Sequence, residues 1–251
     1  MIKKDNNINE FSKKGYCVVD IDKKYIKELE KLNLSILNNI KKKIGKNNYE
    51  LSDFHKLKLS DIELNNFRLE TIKLINSKKN LRRIIYDSLG DFLDKCLGPD
   101  VVVQKNINLV IQSPKDKNRS PFHKDAPMAS NYELVVWLPL VDCVKTMSMY
   151  LFDLKHHNQA KKLIMKNTSE KKFKDFSKKN GKLLNVKFGQ AMIFWTNNFH
   201  YIPVNEEERT RWSLNLRYKN LFTKYGTKNL LDYYDILKLS PITELLNKID
   251  V

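Results

Sequence analysis

Five histidines occur in the chain, at positions 55, 123, 156, 157 and 200, and one of them opens a His-x-Asp triplet, His123-Lys124-Asp125. Two residues apart on extended backbone, an imidazole and a carboxylate point the same way and can grip one metal ion. A third donor must come from elsewhere in the chain. His200 follows the apolar run Ala191-Met192-Ile193-Phe194-Trp195, where a neighbouring strand can bring it alongside. Two neutral imidazoles and one carboxylate on one face of an octahedron leave three positions open, the donor set of mononuclear non-haem Fe(II).

The next polar feature supplies positive charge. In Arg211-Trp212-Ser213-Leu214-Asn215-Leu216-Arg217 the odd positions share one face of a strand, so Arg211, Ser213, Asn215 and Arg217 project together. One reading is an exposed edge strand with two solvated arginines. The other is a buried polar face that holds an anion. Arg211 would then offer a bidentate fork and Ser213 a hydroxyl to a carboxylate. A dicarboxylate that chelates iron at one end needs such a clamp at the other.

These residues must be positioned by strands. The run Val101–Gln112 alternates, with Val103, Ile107, Leu109 and Ile111 on one side and Gln104, Asn106, Asn108 and Gln112 on the other. Its amides either face water or line a wet cavity, where they would need partners. Further strands are expected at 132–138, 148–152, 183–186, 191–196 and 211–218. Before them, residues 11–21 read as a turn and a short strand. Lys23–Ile44 reads as a helix, with apolar residues at three- and four-residue steps and Gly45 as its stop. A second helical region spans about 64–97, interrupted near 76–80, and Gly98-Pro99-Asp100 ends it. A basic, helix-like insertion covers about 158–182. The tail from 228 to 251 reads as one or two closing helices divided at Pro241.

Clustered strands between helical ends argue against a doubly wound parallel sheet. The expected fold class is mainly β with flanking helices, an antiparallel double-sheet roll. No internal repeat or linker divides the sequence, so one domain over 1–251 is expected. Its helical part is about 1–98, its core about 99–222 and its helical tail about 223–251.

Composition excludes several classes. With 251 residues, 41% hydrophobic and 10% aromatic, the chain can bury a core. The N-terminus shows no apolar signal segment, and no run is long enough to span a bilayer. Cys17, Cys96 and Cys143 form no paired framework, which suits a reducing cytoplasm. The net charge of +17 rests on lysine: only seven of the 46 basic residues are arginine. Phosphate recognition favours arginine forks, so this charge reads as compositional bias rather than as a nucleic-acid footprint.

Together these residues resemble the Fe(II)- and 2-oxoglutarate-dependent oxygenases of the phytanoyl-CoA dioxygenase-like superfamily. Within it, the likeness is greatest to the oxygenases found sporadically in carbohydrate biosynthesis clusters, streptomycin-cluster relatives included. The stretches that carry it are Gln104–Leu109, Trp137–Val141, Lys145–Tyr150 and Thr210–Arg217. The resemblance covers the chain from Phe11 to about Phe222. It implies a double-stranded β-helix, jelly-roll or cupin-like, with Fe(II), 2-oxoglutarate and O2 as reaction partners. His123, Asp125 and His200 match its iron ligands. Arg211, eleven residues after His200, matches the arginine that binds the distal carboxylate of 2-oxoglutarate, and Ser213 matches its partner hydroxyl. Arg217, at an offset seen in nucleic-acid demethylating relatives, allows the two arginines to exchange roles. Tyr201 departs from the small residue usual after the distal histidine.

The carboxylate of Asp125 favours hydroxylation over halogenation, since halogenases of this fold carry a small residue there. The resemblance points to a small polar substrate such as a sugar or nucleotide-sugar, in carbohydrate or natural-product biosynthesis. The rivals are a nucleic-acid demethylating dioxygenase and an inactive jelly-roll binding module. Asn106 and Asn108 are further candidates for contact with 2-oxoglutarate or substrate, and Lys145, Thr146 and Ser148 for the same cavity. Trp137 and Trp195 read as core. His55 reads as structural, and His156-His157 near Asp153 as a loop edge rather than a metal site. The basic insertion reads as a solvated helix, with a lid over an anionic substrate as the alternative.

Overall fold

The structure is a computed structural model that describes residues 2–45, 49–118, 122–125, 130–166, 168–246 and 248. The helical part begins earlier than the sequence suggests, with α1 (Ile2–Lys14), followed by β1 (Tyr16–Asp20). Its Asn-rich sequence is a poor helix former. Packing decides the matter: Ile8 and Phe11 seat on the core, and Phe11 meets Phe92 edge-on at 5.6 Å.

The helix α2 (Lys23–Ile44) has the expected bounds. Asp22 caps its first turn by accepting from Lys24 N–H, and Gly45 closes it at φ 68°. Its stripe Leu29, Leu32, Ile36 and Ile40 is buried. The second helical region resolves into α3 (Asp61–Asn76), α4 (Leu81–Ser88) and α5 (Gly90–Leu97), with a Ser60–Glu63 capping box opening α3.

After Gly98 come β2 (Val101–Gln104), β3 (Asn108–Gln112), β4 (Glu133–Pro139) and β5 (Tyr150–Leu151). The basic insertion is two helices, α6 (His157–Met165) and α7 (Glu170–Asn180). Then follow β6 (Lys182–Leu183), β7 (Gln190–Trp195), β8 (His200–Tyr201), β9 (Arg211–Asn220), β10 (Tyr234–Lys238) and α8 (Pro241–Leu246).

The large sheet runs β1-β7-β4-β9-β2-β10, with β3 also paired to β9, and the small sheet runs β6-β5-β8. All these strand pairings are antiparallel. The expected helices-then-strands layout is observed. The tail differs: its stretch before Pro241 is the strand β10, which pairs with β2 and covers that edge. Buried Tyr234 anchors it by donating to Glu133 Oε1 at 2.5 Å.

Side-chain alternation sorts the strands into layers. Leu134, Val136, Leu138, Leu214, Leu216 and Tyr218 face the helices and share a core with Ile36, Phe67, Ile85 and Leu93. Val135, Trp137, Met192 and Phe194 face the small sheet and pack with Met149 and Leu151. A third cluster, Phe122, Phe152, Phe199 and Tyr201, lies on the far face of the small sheet beneath Phe173 and Phe176 of α7. The insertion therefore covers the back of the small sheet. Among the described residues no helix is long and apolar enough to cross a membrane, and Cys17, Cys96 and Cys143 are unpaired thiols.

Candidate active site

Backbone pairing brings the three metal-ligand candidates together. His123 and His200 form an antiparallel bridge, with N–H to carbonyl distances of 3.1 and 2.8 Å. Asp125 is fixed two residues on, where its N–H donates to Thr196 O at 3.0 Å. One donor atom from each of His123, Asp125 and His200 lies within 4.8 Å of the others. Asp125 Oδ1 stands 3.6 Å from His123 Nε2 and 3.9 Å from His200 Nε2. Among the described residues this is the sole such cluster.

Their environments suit a divalent cation. His200 Nδ1 lies 3.1 Å from Asn198 O. A carbonyl only accepts, so Nδ1 carries the proton and Nε2 presents its lone pair. Burial, with His123 nearby, pushes the His200 imidazole down to about 4, so it is neutral at ordinary pH. Burial opposes the charge on Asp125. The hydrogen bond with His123, the charge of His200 once acid protonates it, and the charge and hydrogen bond of Arg217 outweigh it and hold the carboxyl well below the usual range.

The strand β9 builds the other end. Arg211, Ser213, Asn215 and Arg217 lie on its inner face, as their spacing predicts. Arg211 is 2% exposed and, among the described residues, donates only a long bond, 3.4 Å to Met147 O. Among the described residues its Nε has no partner, nor do the buried Ser213 Oγ, Ser148 Oγ and Asn215 Oδ1. Burial lowers the guanidinium to about 10, so it stays charged. A buried cation without a carboxylate is costly unless an anion joins it.

Arg217 differs. It donates to Asp125 Oδ2 at 2.6 Å, to Gln104 Oε1 at 3.3 Å and to Tyr233 Oη at 3.1 Å. Its Nη atoms are taken by protein partners, although its Nε, like that of Arg211, has no hydrogen-bond partner among the described residues; Arg211 is the guanidinium of this site that no described carboxylate pairs with.

One cavity of about 450 Å3 joins these groups. It is lined by His123, Asp125, His200, Arg211, Asn215 and Arg217, with Gln112, Asn118, Val135, Met149, Phe194 and Ile202 among its other walls. Asn106 and Asn108 are not among them; both are exposed. The strand expected over 101–112 breaks at 105–107. Asn108 keeps the face of Val110 and Gln112 but sits at the outer end of the pairing with β9. The alternation that singled out the amides instead delivers Gln112 to the cavity and Gln104 to Arg217. Asn118 and the apolar wall carry no spacing signal.

The remaining candidates separate. Thr146 Oγ1 donates to Glu207 at 2.8 Å away from the metal cluster, and Lys145 N–H donates to Asn185. Trp137 is core, whereas Trp195 is half-buried and donates to Asn131 O. His55 Nδ1 pairs with Thr210 Oγ1 at 3.0 Å. His157 stacks beside Trp195, and Asp153 accepts from Tyr16.

The sequence matches no protein-family model and no curated protein. Solved structures share its fold. ThoJ, a non-heme monooxygenase seen with nickel, is 13% identical at a TM-score of 0.52, over 92% of this chain and 83% of that one. SnoN, a non-heme alpha ketoglutarate dependent epimerase from nogalamycin biosynthesis, is 14% identical at 0.50, over 90% and 86%. A further SnoN structure holds Fe3+, alpha ketoglutarate and nogalamycin RO. SnoK, a carbocyclase from the same biosynthesis, is 11% identical at 0.52, over 88% and 86%. At these identities the likeness is one of fold.

Proposed function

We propose that this chain is a non-haem Fe(II)- and 2-oxoglutarate-dependent oxygenase on a double-stranded β-helix, forming one domain over residues 1–251. The carrying observation is the pairing, in one cavity, of a two-histidine, one-carboxylate cluster with a buried guanidinium that has no acid partner among the described residues. The donor set suits Fe(II), and the unsatisfied atoms around Arg211 suit a carboxylate. Fe(II) with 2-oxoglutarate and O2 would supply the oxidising chemistry.

The protein's own groups have distinct tasks. His123, Asp125 and His200 hold the metal, with the His200 proton parked on Nδ1 against Asn198 O. Arg217 fixes Asp125. Arg211 and Ser213 receive the distal carboxylate of 2-oxoglutarate. Val135, Met149, Phe194 and Ile202 exclude water from the reacting end. Gln112 and Asn118 offer amides to a hydroxylated substrate, which supports a sugar or nucleotide-sugar. Hydroxylation is the proposed outcome, since Asp125 keeps the carboxylate, although SnoN and SnoK carry other outcomes on the same frame. The three unpaired thiols suit a reducing cytoplasm.

The test is oxygen-dependent succinate formation from 2-oxoglutarate by the Fe(II)-loaded protein, beside Asp125→Ala. Succinate that requires oxygen and vanishes in the variant is expected. Absence of both succinate and 2-oxoglutarate binding to the metal-loaded protein would overturn the proposal in favour of a binding module.

A further inference from the structure

The strand segments carrying His123 and His200 have a second face. Along them, neighbours alternate: Asn118, His123, His200 and Ile202 line the metal cavity, while Lys117, Phe122, Tyr201 and Pro203 line another one. This second cavity encloses about 700 Å3 between the back of the small sheet and α7. That volume suits a small ligand, for which sites run about 300–1,000 Å3.

Its walls are aromatic and its rim is cationic. Phe122 stacks on Phe173 of α7 at 4.9 Å and 18°, and Tyr150 lies 6.2 Å from Tyr201. Lys174 and Lys178, one turn apart on α7, face the cavity together with Lys117. Among the described residues none of these three ammoniums has a hydrogen-bond or salt-bridge partner. Of the two lining carboxylates, Glu206 is paired with Lys115 and also feels the charge of Lys174, and three lysines against two carboxylates leave the lining a positive excess. The Tyr150 and Thr168 hydroxyls also lack partners among the described residues.

We propose that this cavity binds an anion carried on a planar ring, the chemical class of nucleoside phosphates, separately from the metal cavity. Lysine ammoniums act as point charges for a phosphate. The aromatic wall offers a ring area to pack against, and the free hydroxyls meet its polar edge. The basic insertion thus builds a site of its own on the back of the small sheet. This assignment does not depend on what the metal cavity binds.

The experiment is calorimetric titration of the full-length, metal-free protein at low salt with UMP and AMP, beside uridine and inorganic phosphate. Saturable one-to-one binding of at least one nucleotide is expected, with uridine and phosphate each about tenfold weaker. The double variant Lys174→Ala/Lys178→Ala weakens nucleotide binding about tenfold. Lys78→Ala/Lys79→Ala, which removes the same charge elsewhere, leaves it unchanged. All four lysines are exposed, so both variants should keep the parent melting temperature. No saturable binding of either nucleotide overturns the proposal. So does uridine binding as tightly as UMP, or an equal loss in the two double variants.

Discussion

Arg217 Nη2 donates to Asp125 Oδ2 at 2.6 Å, while Oδ1 of the same carboxylate faces the Nε2 atoms of His123 and His200 at 3.6 and 3.9 Å. The two oxygens are thereby divided, one fixed by the protein and one turned toward the metal donors. Six residues earlier on the same face of β9, Arg211 has no such partner. The two guanidiniums are alike in sequence and opposite in circumstance, which gives them separable phenotypes.

Asp125→Ala should lower the affinity for Co(II) or Mn(II), used as stable stand-ins for Fe(II), by about a hundredfold or more. It also strands Arg217, so the melting temperature should fall modestly, with Glu133, Gln104 and Tyr233 still nearby. Calorimetry and circular dichroism read both effects. Undiminished metal affinity would remove Asp125 from the ligand set.

The arginines should respond in opposite senses. Arg211→Met removes a buried charge without an acid partner, so stability should hold or rise, while 2-oxoglutarate binding weakens about ten- to a hundredfold. Arg217→Met takes the guanidinium away from Asp125, which is 13% exposed and keeps only His123 and His200 beside it, so stability should drop by about 1–3 kcal/mol and metal affinity should fall. Thermal melts of the metal-free proteins read the stability change, and melts of the metal-loaded proteins with and without 2-oxoglutarate read the binding change. The reverse ranking would exchange the two roles.

Much of this was legible because strand parity is a strong signal. The odd positions of 211–217 share a face, and Arg211, Asn215 and Arg217 of that face line the cavity while Ser213 is fully buried. The two-residue spacing of His123 and Asp125 predicts convergence, and the bridge to His200 completes it. Parity fails where a strand breaks. After Gln104 the backbone leaves the sheet for three residues, so Asn106 stays in solvent; Asn108 keeps the parity of Gln112 but sits at the exposed outer end of β3, while Gln112 arrives inside. Likewise α1 and β10 are made by packing. Phe11 against Phe92 and Tyr234 against Glu133 are long-range contacts, and short windows of Asn, Lys and Asp do not reveal them.

The metal cluster also depends on a distant turn. Gly15 holds φ +79°, and a Cβ there would stand 2.3 Å from Asn198 Oδ1. Asn198 Nδ2 donates to Lys14 O at 3.0 Å, and Asn198 O is the carbonyl beside His200 Nδ1. Gly15→Ala should therefore destabilise the fold by about 2 kcal/mol or more. It should also weaken metal binding, because the displaced Asn198 no longer orients His200. Gly45→Ala is the control. It has a similar φ of +68° and nothing within 4 Å of the added methyl, so it should be milder and leave metal affinity unchanged.

Lys219 gives the fold a pH signature away from the metal. Its side chain is fully buried, donates to Thr223 O at 2.7 Å and lies 3.4 Å from the Tyr225 ring centre. Burial pulls its ammonium down to about 8, against a partial restoring effect of Glu133. Unfolded, it would titrate near its usual 10.5. Between these values the unfolded chain holds a proton that the folded one has released, so this group makes stability rise with pH. The slope is at most about 1.4 kcal/mol per pH unit. The buried thiols of Cys17 and Cys143 are raised and act in the opposite direction. They are common to a Lys219→Met variant, so the difference between the two proteins isolates the lysine. Urea melts from pH 7.5 to 9.5 should show the variant more stable at the lower end, with its advantage shrinking as pH rises. A constant difference across that range would mean that Lys219 keeps its proton in the folded state.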